Sequence, residues 1–195
     1  MQNGSRNQPE WPMLLTLVSA VLAGIWIQSA VQNQMNTIQW AEGSIRIPAG
    51  WKIVALEPND FAVADYRTAG AFGSQLSLKR LSKTVLLPGG GELYQAASNW
   101  TLERAKGNAS YRLLNMSPVR VNGHNAMKLQ SVYLQHVGPN MAPGLMHSTE
   151  FVLTVDDEFY IWSFSAEEDR FQQTAKLQKR LLNEWTLPLS KAGSK

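Results

Sequence analysis

Apolar and polar positions divide the chain into two unlike parts. Between Glu10 and Glu42 no residue carries a charge, and Trp11 to Val31 reads WPMLLTLVSAVLAGIWIQSAV. A helix over 11–31 would be about 31 Å long, close to the roughly 30 Å hydrocarbon core of a bilayer. Pro12 suits a first helical turn, where its missing N–H costs nothing. Trp11 and Trp26 suit the headgroup boundary. The alternative is a cleaved signal peptide, with Val21-Leu22-Ala23 as the cleavage motif. Only Arg6 precedes the run, and apolar character continues to Val31, which favours an uncleaved anchor. With Arg6 and the α-amine on one flank and no Lys or Arg until Arg46 on the other, the N-terminus is expected in the cytoplasm. The rest of the chain is then periplasmic, on the outer side of the inner membrane.

After that run the periodicity changes. Ile45 and Ile47 alternate with polar neighbours in SIRIPAGWKIV, the period of a half-buried strand, and Pro48-Ala49-Gly50 turns the chain. Phe61–Tyr66 and Gln75–Leu81 are the next predicted strands. Leu93, Ala96, Ala97, Trp100 and Arg104 follow helical spacing, predicting a helix over 92–106 that stops at Gly107. Short strands are predicted at 111–114 and 119–121, a tight turn at Asn122-Gly123, and a long strand over 126–135. Residues 149–155 and 158–164 form a hairpin around Asp156-Asp157. Ser165 with Glu168 reads as a capping box opening a last helix, whose face continues through Phe171, Ala175, Leu182 and Trp185. Hairpin-linked strands with segregated helices indicate an α+β fold with a mostly antiparallel sheet. The expected organisation is a tail (1–10), a transmembrane helix (11–31), a polar linker (32–42), one extracytoplasmic domain (43–188) and a C-terminal tail (189–195).

Three stretches, SIRIPAGWKIV, VRVNGHNAMKLQ and FVLTVDDEFYIWSFSAEEDRF, occur in this order across residues 43–187. In this they resemble the PsbP-like fold family, which includes photosystem extrinsic and assembly proteins and DcrB-type bacterial envelope proteins. The resemblance implies an α/β/α sandwich and a non-enzymatic accessory, assembly or docking role. The chain departs from familiar members in its apolar helix, where many are soluble or lipid-anchored through Cys.

Composition narrows the function. Charged residues make up 17% of the chain, below the roughly 25% of soluble domains. Basic residues are scattered, the densest group being Lys176, Lys179 and Arg180, so no nucleic-acid partner is expected. With no cysteine, disulfides, thiolate metal sites and cysteine nucleophiles are excluded. No Gly-x-Ser-x-Gly elbow appears, and no Lys-Ser/Thr follows Gly89–Gly91 to make a phosphate loop. Neither an enzyme nor a cofactor is expected. His136 and His147, facing each other across a loop that carries Met141 and Met146, are the candidate metal ligands, since imidazole and thioether suit copper. The competing reading is an exposed hairpin end. Asp156, Asp157 and Glu158 read as a turn rather than a calcium site. Of the seven tryptophans, most of those in the domain are expected in the core, with Trp40 placed against the membrane or a partner.

These features point to an accessory or assembly subunit of an integral membrane protein complex. The alternative is a membrane-anchored module binding a small ligand or metal. Ser19, Ala20, Ala23 and Gly24 form a small-residue patch where another helix could approach. Leu86, Leu87, Met141 and Leu145, in two loops mixing apolar residues with Gly and Pro, are the candidate docking residues of the domain.

Overall fold

The computed structural model describes residues 11–32, 34–66, 72–86, 92–136 and 142–187. The two tails therefore lie outside the described residues. α1 (Trp11–Gln32) leads into β1 (Met35–Trp40) and β2 (Gly43–Pro48), an antiparallel pair in which Ile38 faces Ile45. Then come β3 (Lys52–Leu56), β4 (Asp60–Ala64), β5 (Gln75–Ser82), the single turn α2 (Lys83–Leu86) and α3 (Leu93–Gly107). Four long strands follow: β6 (Ala109–Val121), β7 (His124–Gln135), β8 (Gly144–Val155) and β9 (Glu158–Glu167). The chain finishes through α4 (Glu168–Phe171), a 3-10 turn (Gln172–Thr174) and α5 (Ala175–Asn183).

Strands β3 to β9 make one seven-stranded sheet, order β3-β4-β5-β9-β8-β7-β6, with every neighbour antiparallel. The two central strands bury both faces, as the near-continuous apolar runs FVLTV and FYIWSF require. On one face α3 lays Ala96, Ala97 and Trp100 against Leu129, Val152 and Ile161. On the other, Phe151, Leu153, Trp162 and Phe164 pack with Ile45 and Ile47 of β2 and with Leu181 and Trp185. The result is an antiparallel sheet with helices on both faces, the expected α+β class. The start and end of the domain are tied: Thr186 N donates to Ser44 O at 2.8 Å and Ser44 N to Thr186 O at 3.2 Å. At Gly43 the Thr186 carbonyl stands where a Cβ would go, so only glycine fits.

Four local expectations change. Residues 32–42 were expected as a linker, yet 35–40 form β1, and Trp40 is buried, its indole donating to Glu57 O at 3.0 Å. Trp40 is thus core and unavailable to a membrane or partner. The two short strands at 111–114 and 119–121 are one strand, β6, whose pairing with β7 shifts register twice. Bulges of this kind break the period-2 pattern that sequence reading depends on. Ser165 does not cap a helix: it pairs with Gln75 on β5 and Ser148 on β8, and the helix begins three residues later. Two ladders of backbone bonds outweigh one local cap. Finally, among the described residues no helix is long and apolar enough to cross a membrane.

Candidate functional site

The middle of the sheet holds a carboxylate that the sequence did not announce. Glu150 sits on β8 opposite Leu129 and Ser163, facing α3, and is 0% exposed. Its oxygens accept from the Trp100 indole N–H, from Arg104 Nε at 3.0 Å and from the Ser148 hydroxyl at 3.1 Å. Arg104 also lies over the Tyr133 ring, 5.3 Å from its centre. Burial by itself would lower the Arg104 pKa, but Glu150 and Tyr133 outweigh it and hold the guanidinium above its ordinary value. Next to it, burial pushes the Tyr111 phenol up; the nearby Ser131 hydroxyl and Arg104 only partly offset this. The Tyr111 and Ser131 hydroxyls are close, yet neither meets the geometry of a hydrogen bond. A carboxylate with three donors and no solvent contact fixes α3 on the sheet. It offers nothing to a substrate.

The opposite face carries a cleft of about 360 Å³ between the sheet and the α4–α5 segment. Lys128, Gln130 and Thr149 line it from β7 and β8, with Phe151 and Trp162 in its floor. Across from them stand Phe171, Gln172, Gln178, Lys179 and Leu182. These residues share the cleft because alternate positions of β7, β8 and β9 point to the α5 side, while the α3 side takes the residues between. A second groove, of about 970 Å³, runs between α3 and the β5–α2 corner and includes Leu81, Val85, Leu86, Trp100 and Leu102. Val85 and Leu102 are 62% and 60% exposed.

The candidate metal ligands are not brought together. His147 pairs with Val132 of β7, and His136, just past the end of that strand, is four residues further on, a separation of about 13 Å. The His147 imidazole instead meets the Glu168 carboxylate and lies 5.0 Å from the Phe171 ring. Met146 is buried in β8. Among the described residues no group of three or more His, Cys, Asp or Glu could hold a metal ion. Of the docking candidates, Leu86 is 1% exposed, part of the core under α3, and Leu145 is 42% exposed. Leu87 and Met141 lie outside the described residues. Ser19, Ala20, Ala23 and Gly24 are all exposed on α1, with the Ser19 hydroxyl returned to Leu15 O at 2.8 Å.

No family model and no curated protein matches the sequence. Solved structures do match the fold. Cyanobacterial PsbP (CyanoP) from Synechocystis aligns with a TM-score of 0.55 at 16% identity, covering 79% of this chain and 91% of that one. The fold is PsbP-like. LpqN of Mycobacterium tuberculosis, a protein involved in cell envelope biogenesis, aligns with a TM-score of 0.54 at 12% identity, over 80% of this chain and 91% of LpqN. A variant of the protein Mog1 gives 0.53 at 9% identity, over 82% of this chain and 98% of Mog1. At these identities the PsbP-like likeness is one of architecture, and function has to be argued from the residues on it.

Proposed function

We propose that this PsbP-like protein is a non-catalytic accessory subunit of an integral membrane protein complex of the cell envelope. The N-terminus lies in the cytoplasm and the domain on the periplasmic side of the inner membrane. One observation carries the reading: every described side chain of α1 is exposed, among them Leu14, Leu15, Leu17, Leu22, Ile25 and Ile27. Covering those six is worth on the order of 10 kcal/mol, so the helix does not stay bare in water. In this reading the cover is lipid together with a partner's helix. That helix seats on Ser19, Ala20, Ala23 and Gly24, where small side chains let backbones approach. The domain adds the groove beside Val85 and Leu102. LpqN's place in envelope biogenesis supports the same setting.

Extraction in mild neutral detergent tests the reading. The protein should migrate in an assembly larger than itself, and the double substitution Ala20→Leu with Gly24→Leu should release it. Migration as a monomer would sink the proposal, and undiminished association of the double variant would remove α1 from the interface. Protease applied to intact spheroplasts should digest the domain. A domain protected until lysis would reverse the orientation. A second reading, a module binding a small ligand, has one observation in its favour: the cleft under α4–α5.

A further inference from the structure

We propose that the cleft between the α4–α5 segment and the sheet binds a small organic anion built on a flat aromatic body. The inference is independent of docking through α1 and would survive its failure.

The charge balance decides the sign of the ligand. Two ammonium groups, Lys128 from β7 and Lys179 from α5, line the cleft, and no carboxylate does. Among the described residues neither lysine has an acidic partner, whereas Lys79, Lys83 and Lys106 are each paired. Two cations lining one cleft that holds no carboxylate favour a negatively charged occupant. Polar side chains surround them: Gln130, Thr149 and Gln172 make no hydrogen bond among the described residues that would occupy them, and Gln178 holds only Thr174, at 3.0 Å. The Trp162 indole N–H is fully buried and also without a partner. An unpaired buried donor costs about 1–3 kcal/mol, which makes this indole a sensitive reporter beneath the cleft.

The apolar lining decides the body. Phe151, Trp162 and Phe171 contribute rings, with Leu182 beside them. Phe151 meets Trp162 edge-on at 5.6 Å, and Trp162 stacks on Phe164 at 6.2 Å, so the floor is a fixed aromatic surface. Phe171, the partly exposed ring of the lining, can take another flat ring in offset or edge contact above that floor. The volume, about 360 Å³, falls at the small end of ligand pockets, whose range is roughly 300–1,000 Å³. An aromatic carboxylate or phosphate fits these terms, and a long acyl chain does not.

The test uses the full chain in neutral detergent, with nitrogen-labelled tryptophan, titrated with naphthoate. The Trp162 indole N–H signal, assigned with Trp162→Phe, should shift to saturation. Naphthylmethanol, which keeps the rings and loses the charge, should bind at least about tenfold more weakly. Lys128→Gln with Lys179→Gln should weaken naphthoate by at least about tenfold, while Lys176→Gln, on α5 but outside the cleft lining, should leave it unchanged. Equal binding of naphthylmethanol, an unaffected lysine double variant, or no shift at Trp162 would each overturn the proposal. So would a shift produced only by an acidic peptide, which would make the cleft a protein contact. Lys128 is half-buried and Lys179 exposed, so a thermal melt of the double variant separates loss of binding from loss of folding.

Discussion

Arg104 Nε on α3 stands 3.0 Å from Glu150 Oε1 in the centre of the sheet, joining positions 46 residues apart. The contact explains why the helical stripe Leu93-Ala96-Ala97-Trp100 ends on a cation: the next turn of α3 passes over a buried anion. Arg104→Leu strands that anion with only the Trp100 and Ser148 donors, and the expected loss is about 3–5 kcal/mol. Glu150→Leu leaves Arg104, itself partly exposed, freer to reach water, so its cost should be smaller. The double variant should lose less than the sum of the two. Urea denaturation of the four proteins measures this, and simple additivity would mean that the two groups do not depend on each other.

How far the fold was legible follows from how local each signal was. Asn122 and Gly123 both take left-handed backbone, with φ of 50° and 85°, the turn their dipeptide announces. Asp156, at φ 52°, turns the β8–β9 hairpin in the same way. α3 was readable because its apolar face repeats at helical spacing. β1 was not: Met35, Ile38 and Trp40 are spaced three and two apart in a polar segment, and only pairing with β2 makes them a strand. Ser165 carried a true local signal that the sheet overrode. The site residues were the least readable. Lys128 and Lys179 mean nothing until the topology puts β7 beside α5, and Glu150 looks like an ordinary charge in a strand. The histidine pair failed for the reverse reason: a short loop suggested proximity, but the register sets His147 against Val132.

Tyr160 gives the fold a pH limit on the alkaline side. Its phenol is pushed up to about 12, first by burial and then by Glu158, whose carboxylate accepts its hydrogen bond at 3.2 Å. In the unfolded chain the phenol titrates near its ordinary value, about 10. The folded state therefore favours the proton. Its contribution is complete below about pH 10 and disappears as pH rises towards 12. Denaturation midpoints measured across that window should fall more steeply for the native protein than for Tyr160→Phe, which has no proton to lose. Matching slopes would show that Tyr160 is not the group responsible.

Val85 and Leu102 face each other's side of the groove between α2 and α3, both more than half exposed. Neither belongs to the buried cluster beneath α3, which is built from Leu86, Ala96, Ala97 and Trp100 with the sheet. A charge at either position therefore enters water rather than the core. Val85→Glu and Leu102→Glu should each change stability by no more than about 0.5 kcal/mol, as surface substitutions do. If the groove receives an apolar segment of the partner, each charge would have to be buried unpaired on association, at a cost of several kcal/mol. The expected result is a normal thermal melt together with loss of the larger assembly in neutral detergent. An assembly that survives both substitutions with the melt unchanged would clear the groove of any part in docking and leave α1 to carry it alone.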